Sequence, residues 1–172
     1  MLATGGFETI VEIASTSRTG ISVISVELSS FIDDTAIEQS WSEIRDALAD
    51  AAVKGVVITS GKDSFAGGMD LNVLATIREE AGEDPAQALF DFTMGAHRFM
   101  RKIERAGMDP KTNKGGKPVA CAIPGTCAGI GTELALCTHR RFMADNPKAR
   151  IGLPEILVGL FPGAGGTTRY SR

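Results

Sequence analysis

Polar and apolar side chains alternate in two stretches near the N-terminus. Residues 8–14 and 21–26 alternate in polarity and are rich in β-branched side chains, which predicts two strands joined around Gly20. The short apolar run at residues 56–59 is typical of a buried strand. Similar criteria predict further strands or extended segments at residues 117–123, 139–144 and 150–152.

Apolar residues at spacings of three and four predict helices between these strands. Residues 35–52 show this spacing, and Asp33, Asp34 and Thr35 offer N-caps before it. Further helices are predicted at residues 71–80, 85–105 and 129–138, with one helical turn at 155–159. A helix that leads into a buried strand indicates a crossover with parallel pairing, and therefore an α/β fold.

One face of the predicted helix at residues 85–105 carries a stripe of apolar side chains. The stripe consists of Leu89, Phe92, Ala96, Phe99, Met100 and Ile103. A stripe at helical spacing is more often part of the core than the wall of a ligand site. We therefore predict that these residues belong to the core.

Two glycine-containing turns each follow a predicted strand and precede a predicted helix. One is the run from Phe65 to Asp70, and the other is the run from Gly125 to Gly131. Such turns lie at the carboxyl ends of parallel strands, where ligands bind and N–H groups at a helix start favour negative charge. If the turns are neighbours, their N–H groups form an oxyanion hole. The alternative is a structural role, in which the glycines only turn the chain and Asp70 caps the next helix.

Two glutamates stand inside glycine-rich runs near the C-terminal end. Glu133 follows Gly125-Thr-Cys-Ala-Gly-Ile-Gly-Thr, and Glu155 ends Gly152-Leu-Pro-Glu. Apolar neighbours surround both acids, so we expect burial to raise their pKa values. One acid can then donate a proton while the other accepts one. A buried carboxylate without a partner is costly, which favours a functional role for Glu133 over a structural one.

Composition narrows the range of functions. The chain has 172 residues, enough for one domain with a core, and its net charge of −3 provides no basic field for nucleic acid. Its apolar stretches are shorter than the ~20 residues that span a bilayer, and the N-terminus has no signal-peptide pattern. We expect an intracellular, cytoplasmic protein that does not span a membrane.

Cysteine and histidine supply few candidates for other chemistry. Cys121, Cys127 and Cys137 cannot all pair and lie in apolar surroundings, which indicates small buried thiols; a catalytic cysteine is the weaker alternative. His97 and His139 lack metal-ligand spacing, so we predict no metal.

Two other enzyme classes fit the motifs poorly. The glycines from Gly125 to Gly131 do not follow the GxGxxG order, and no ribose-binding acid stands about 20 residues further on, which disfavours NAD binding. No serine has the context of a nucleophile elbow, which disfavours a serine peptidase.

Four segments of the chain together resemble the crotonase superfamily, specifically the enoyl-CoA hydratases. The order and spacing of the segments match from about residue 8 to the end. The segments are Ser64-Phe-Ala-Gly-Gly-Met-Asp-Leu, Lys117-Pro-Val-Ala with Gly125 and Ala128-Gly-Ile-Gly-Thr-Glu-Leu-Ala-Leu, Ile151-Gly-Leu-Pro-Glu, and Phe161-Pro-Gly-Ala-Gly-Gly-Thr-Thr-Arg.

The resemblance implies a fold, a reaction and a set of site residues. The fold is the α/β crotonase (ClpP-like) fold of repeated ββα units, with residues 1–172 as one core domain. The resemblance implies that Glu133 and Glu155 are catalytic and hold the water that adds to a trans-2-enoyl-CoA. It also implies that the N–H groups of Met69 and Ile130 hold the thioester oxygen. The residues expected to contact substrate or its CoA arm are Ala66, Gly67, Gly68, Asp70 and Gly129.

The resemblance is nearest to the N-terminal hydratase domain of multifunctional fatty-acid oxidation subunits. It implies no cofactor apart from coenzyme A within the substrate, and either a trimer-based homo-oligomer or membership of a fatty-acid oxidation complex. Family domains continue with C-terminal helices that this chain lacks, so we expect exposed apolar surface and self-association. The expected exposed residues are Ile156, Leu157, Leu160 and Phe161.

Two alternatives to hydration stay open. An enoyl-CoA isomerase of the same superfamily needs only one proton shuttle, and the presence of Glu133 argues against a dedicated isomerase. A non-catalytic acyl-CoA-binding fragment is the other alternative, because the chain ends soon after the glycine-rich run.

Overall fold

The fold is known from a computed structural model. It describes residues 15–18, 21–25, 44, 46–80, 82 and 84–171. The strand predicted at residues 8–14 lies outside these residues. Of the helix predicted at residues 35–52, residues 44 and 46–52 are described; 44 and 46–49 are helical, whereas 50–52 are not, so the predicted end of the helix was wrong.

A five-stranded sheet forms the centre of the described structure. Its strands are β1 (Ser15–Arg18), β2 (Ile21–Ser25), β3 (Val56–Thr59), β4 (Val119–Ile123) and β6 (Arg140–Met143), in the order β1-β2-β3-β4-β6. The β1–β2 pair is antiparallel, and every other pair in the sheet is parallel. The predicted parallel crossover is therefore confirmed. A separate parallel pair joins β5 (Cys127–Ala128) to β7 (Ile151–Gly152).

Among the described residues after residue 70 there are four α-helices and one 3₁₀ turn; three of the helices and the turn were predicted, and the last helix, of five residues, was not. They are α1 (Leu71–Glu80), α2 (Pro85–Arg105), α3 (Ile130–Leu136), α4 (Gly166–Tyr170) and the 3₁₀ turn Glu155–Val158. At the start of α2 the Asp84 side chain accepts a hydrogen bond from the Gln87 N–H, and Pro85 occupies the first turn. The helix ends at Ala106, which adopts a left-handed conformation.

The core contains side chains from the sheet and from the helices behind it. Val56, Ile58, Val119 and Cys121 come from β3 and β4, and Ile103 comes from α2. All three cysteines are buried free thiols, as predicted. Burial raises the pKa of Cys121 and of Cys137 to about 12 and also raises that of Cys127, so these thiols stay protonated at neutral pH and are poor nucleophiles.

The strands differ from the sequence prediction in one unpredicted strand and in several bounds, of which the start of β4 differs by two residues. The strand at Ser15–Arg18 went unpredicted because its residues, Ser-Thr-Ser-Arg, show no polar–apolar alternation. The strand predicted from residue 117 begins at Val119. Lys117 lies outside the strand: its N–H donates to the Ala106 carbonyl oxygen, and its Nζ atom donates to the carbonyl oxygen of Asp50, directly after the helical residues 46–49.

Candidate active site

The two glycine-containing turns are direct neighbours. The N–H of Ala128 donates to the Ala66 carbonyl oxygen at 2.9 Å, and the Ala66 N–H donates to the Thr126 carbonyl oxygen at 3.1 Å. A Cβ atom at Gly131 would lie 2.3 Å from the Cβ of Ala66. A glycine at position 131 is therefore what allows α3 to pack against the first turn.

Each of the two turns has a glycine with positive φ directly before a residue that lines a cavity. Gly68 and Gly129 have φ angles of +110° and +57°, and a Cβ atom at Gly129 would lie 3.3 Å from the Gly68 Cα. The next residues, Met69 and Ile130, both line the adjoining cavity. Within the described part of the chain, neither the Met69 N–H nor the Ile130 N–H has a hydrogen-bond acceptor. Both are thus available to a ligand oxygen.

Met69 and Ile130 contribute to the lining of a largely apolar cavity of about 380 Å³. Both predicted catalytic acids, Glu133 and Glu155, line it, together with Gly67, Gly68 and Gly129. Ala66 and Asp70 do not line it; Ala66 packs against Gly131 of α3, and Asp70 accepts a hydrogen bond from the Asn72 N–H at the start of α1. The apolar walls include Leu71, Leu74, Leu89, Phe92, Ala96, Ile130, Leu157, Val158, Leu160 and Phe161.

The apolar stripe of α2 is divided between the core and this cavity. Phe99, Met100 and Ile103 are buried in the core, as predicted. Leu89 and Phe92 instead line the cavity, with Ala96 at the boundary in contact with both. The prediction of a purely core stripe was therefore wrong for its N-terminal half, since helical periodicity does not distinguish a core contact from a cavity wall.

Glu133 is a buried acid whose carboxylate is held by the backbone. It is 2% exposed, and its Oε1 atom accepts hydrogen bonds from the N–H groups of Ala164 at 2.9 Å and Gly166 at 2.8 Å. Burial raises the pKa of Glu133, the two N–H donors lower it, the Glu155 charge raises it and His97 lowers it; the net effect is a raised pKa. The raised pKa makes Glu133 a stronger proton acceptor than an exposed glutamate, as an acid–base role requires.

Glu155 approaches the same cavity from the 3₁₀ turn. Its side chain is half-buried, and its Oε1 atom would lie 3.6 Å from a Cβ at Gly129. Its Oε2 atom is buried and has no hydrogen-bond partner among the described residues. An unpartnered carboxylate oxygen inside a cavity is a position from which a ligand proton or water can be bound.

Thr132 connects the site to the small sheet behind it. Its buried hydroxyl lies 2.7 Å from the Cys127 carbonyl oxygen and 2.8 Å from the Gly152 carbonyl oxygen. Because Thr132 precedes Glu133 and Gly152 begins the segment that ends in Glu155, the hydroxyl fixes the two acid-bearing segments to each other. The sequence analysis did not single out Thr132; a hydroxyl residue beside a buried acid was the available signal.

Three polar residues near the site were not placed there by sequence. His97 acts electrostatically on Glu133, and Arg169 forms a salt bridge with Glu104. No three His, Cys, Asp or Glu side chains in the described residues cluster as metal ligands, and the lack of a metal stays a prediction. No helix in the described part of the chain has the length and apolar content to cross a membrane.

Comparison with known proteins accounts for this arrangement. A model of the family described as "Enoyl-CoA hydratase/isomerase" matches residues 22–172. The chain belongs to the enoyl-CoA hydratase/isomerase family. This membership confirms the resemblance inferred from the four sequence segments, and it makes the chain a member of an enzyme family.

Relatives and solved structures agree with the family assignment. The chain is 35% identical over 158 residues to the fatty acid oxidation complex subunit alpha of Shewanella frigidimarina, covering 89% of this chain and 20% of the relative. It is also 35% identical over 159 residues to the same subunit of Idiomarina loihiensis, covering 87% of this chain and 20% of the relative. The chain thus spans about a fifth of the length of these relatives.

Solved enoyl-CoA hydratases share the fold. The crystal structure of an enoyl-CoA hydratase from Geobacillus kaustophilus has a TM-score of 0.72 and 28% identity, and the match covers 91% of this chain and 54% of that one. The enoyl-CoA hydratase of Bacillus anthracis has a TM-score of 0.71 and 26% identity, covering 93% and 57%. The predicted crotonase fold is therefore confirmed.

Proposed function

We propose that this chain hydrates trans-2-enoyl-CoA thioesters to 3-hydroxyacyl-CoA thioesters. The observation that supports the proposal is that Glu133 and Glu155 line one cavity together with Met69 and Ile130, whose N–H groups have no acceptor among the described residues. Two acids and two backbone donors are what addition of water beside a thioester carbonyl requires.

The proposed reaction uses each part of the site once. The Met69 and Ile130 N–H groups hold the thioester oxygen, which gains negative charge as the carbon–carbon double bond is attacked. The two glutamates hold a water molecule between them. One takes a proton from the water as its oxygen bonds to C3, and the other delivers a proton to C2.

The proposed substrate class follows from the cavity walls. Ile130, Leu71, Leu74 and Phe161 all line the cavity and are suited to an acyl chain. Gly67, Gly68 and Gly129 leave the backbone accessible beside the N–H donors, where the CoA thiol arm would lie. The roles of Ala66 and Asp70 toward CoA remain predictions, since both lie outside the cavity lining.

The proposed biological role is fatty-acid β-oxidation. It rests on the similarity to the fatty acid oxidation complex subunits alpha, which are named for that process. We extend the proposal to an acyl-CoA thioester as the partner molecule, to assembly as a homo-oligomer or within such a complex, and to a cytoplasmic location.

Hydration of crotonyl-CoA tests the proposal. Loss of the conjugated enoyl thioester absorbance reports turnover, and we expect Glu133→Gln and Glu155→Gln each to lower kcat about 10²- to 10⁴-fold. Glu79→Gln is the matched control, because Glu79 is exposed on α1, and it should keep the full rate. Acyl-CoA binding without turnover in the unmutated chain would favour the non-catalytic alternative instead.

Isomerisation of a 3-enoyl-CoA is the second candidate, favoured by the family description, which names both reactions. The same Glu133→Gln variant separates the two. Isomerisation can continue on Glu155 alone, whereas hydration needs both acids. If isomerisation were the main reaction, the unmutated chain would convert the 3-enoyl-CoA faster than it hydrates crotonyl-CoA.

A further inference from the structure

Arg169 lies directly behind the turn that holds Glu133. Its Nη1 atom donates to the Ala164 carbonyl oxygen at 2.8 Å, and its Nη2 atom lies 3.5 Å from the Glu104 Oε2 atom. The Arg169 side chain is 12% exposed and that of Glu104 is 24% exposed. Because Glu104 belongs to α2 and Arg169 to α4, the pair joins the long helix to the glycine-rich turn.

Successive glycines make room for the two charged side chains. Gly165 has a φ of +91°, and a Cβ there would lie 2.6 Å from the Arg169 Nη1 atom. A Cβ at Gly166 would lie 2.8 Å from the Glu133 Cγ atom. The guanidinium of Arg169 therefore packs against Gly165, and the side chain of Glu133 packs against Gly166.

We infer, on the basis of the proposed function, that Arg169 is a positioning residue for the catalytic Glu133. Glu104 orients the guanidinium, and the guanidinium holds the Ala164 carbonyl. The N–H groups of Ala164 and Gly166 then converge on a single oxygen, Glu133 Oε1. The carboxylate is fixed in one rotation, with its Oε2 atom left for the reacting water.

The positioning has an electrostatic consequence as well as a geometric one. Hydrogen bonds to the charged form of an acid lower its pKa, and here two of them oppose the burial that raises the pKa of Glu133. The other charged groups that act on Glu133 are Glu155 from the 3₁₀ turn and His97 from α2. A turn that loses its anchor would weaken both N–H donations and leave the pKa of Glu133 higher.

Arg101 offers a matched control within the same ion-pair cluster. Its Nη1 atom lies 2.6 Å from Glu104 Oε2, yet its side chain is 54% exposed, and it makes no hydrogen bond to the glycine-rich turn among the described residues. Partial burial raises the pKa of Glu104, whereas the hydrogen bond from Arg101 and the charge of Arg169 lower it below its ordinary value. Both arginines thus serve Glu104, and only Arg169 reaches Ala164.

Steady-state kinetics on Arg169→Met and Arg101→Met separate positioning from general stabilisation. For Arg169→Met we expect kcat to fall about 10- to 100-fold with KM changed less than about threefold, since a displaced catalytic group loses transition-state stabilisation. The limb of the pH–rate profile that follows Glu133 should move to higher pH. Arg169→Lys should recover part of kcat, and Arg101→Met should stay within about twofold of the unmutated rate.

Carbon-13 NMR titration of the Glu133 carboxyl provides a readout that needs no turnover. In folded Arg169→Met the carboxyl should titrate at higher pH, and the Ala164 and Gly166 amides should exchange faster. An unchanged titration, unchanged exchange and an unchanged kcat in the folded variant would overturn the inference. If Arg169→Met does not fold, Glu104→Gln should change kcat, the Glu133 titration and the amide exchange in the same directions, each by a smaller amount. If the unmutated chain hydrates no enoyl-CoA, the proposed function fails, and the titration still decides this inference.

Discussion

Gly166 both binds Glu133 and leaves space for it. The Gly166 N–H donates to the Glu133 Oε1 atom at 2.8 Å, and a Cβ at position 166 would lie 2.8 Å from the Glu133 Cγ and 3.0 Å from Oε1. The two residues are 33 positions apart in the chain. The glycine-rich run and the buried acid thus form one structural unit, and this relationship underlies the first prediction.

Gly166→Ala should lower kcat by about 100-fold, because the new methyl group displaces the Glu133 carboxylate from its N–H donors by a fraction of an ångström or more. The crotonyl-CoA assay measures the effect. Gly95→Ala, in α2, is the control, since a Cβ there meets nothing within 4 Å. That change should keep the rate and stabilise the helix by about 0.5–1 kcal/mol. Equal kinetics in the two variants would contradict the prediction.

Glu133 should make folding stability fall as pH rises. Its folded pKa lies above its ordinary value of 4.5, so the folded state binds the proton more tightly than the unfolded state does. The stability contribution is complete below pH 4.5 and is lost as pH rises through the raised pKa. Urea unfolding at a series of pH values should show this loss in the unmutated chain.

The neutral variant provides the comparison. Glu133→Gln keeps the Oε1 acceptor and removes the titration, so its stability should fall less with pH over the same range. Glu79→Gln, at an exposed position of α1, should follow the unmutated chain. If Glu133→Gln and the unmutated chain lost stability in parallel as pH rises, Glu133 would not be the source of the pH dependence.

Thr132→Val should destabilise the protein by about 1–3 kcal/mol. The change keeps the side-chain volume and leaves the buried carbonyl oxygens of Cys127 and Gly152 without the Thr132 hydroxyl. Thr132→Ser is the control, since it keeps the hydroxyl and loses only a methyl group, at a cost of roughly 1 kcal/mol. Chemical denaturation gives both free energies; the prediction requires the valine variant to be the less stable of the two.

The exposed apolar surface after Glu155 should cause self-association. Ile156, Leu157 and Phe161 are 77%, 83% and 79% exposed, as expected from sequence, while Leu160 is half-buried. In the unmutated chain the average mass measured by sedimentation velocity should rise with protein concentration, and Ile156→Lys should reduce this rise. Gln87→Lys adds the same charge at an exposed polar site of α2 and should leave the rise unchanged. A well-behaved monomer of the unmutated chain would count against the prediction.

The sequence predicted helices and strands best where one pattern decided the outcome. The bounds of α1 and α2 match the predicted ranges, because each helix has periodic apolar residues between clear start and stop signals. The strand at Val56–Thr59 also matches, because it is a short β-branched run after a glycine. Boundaries were lost where a tertiary contact intervened, as with Lys117 and the carbonyl of Asp50.

The candidate site was predictable in its parts. Glu133 and Glu155 stood out because acids in apolar, glycine-rich surroundings are unusual, and both line the cavity. The sequence analysis gave helix capping as one alternative for Asp70, and in the structure the Asp70 side chain accepts a hydrogen bond from the Asn72 N–H at the start of α1. The cavity position of Leu89 and Phe92 was not predictable, since the apolar stripe on α2 continues unchanged from cavity to core.

The sequence by itself determined the alternation of strands and helices, the buried thiols and the family, because these depend on local periodicity and on motifs read along the chain. Only the tertiary structure decided that Gly131 accommodates Ala66, that Gly166 accommodates Glu133, and that Arg169 reaches the Ala164 carbonyl. These relationships join residues far apart in sequence. Their energies depend on distances of a few ångströms, which no spacing along a chain specifies.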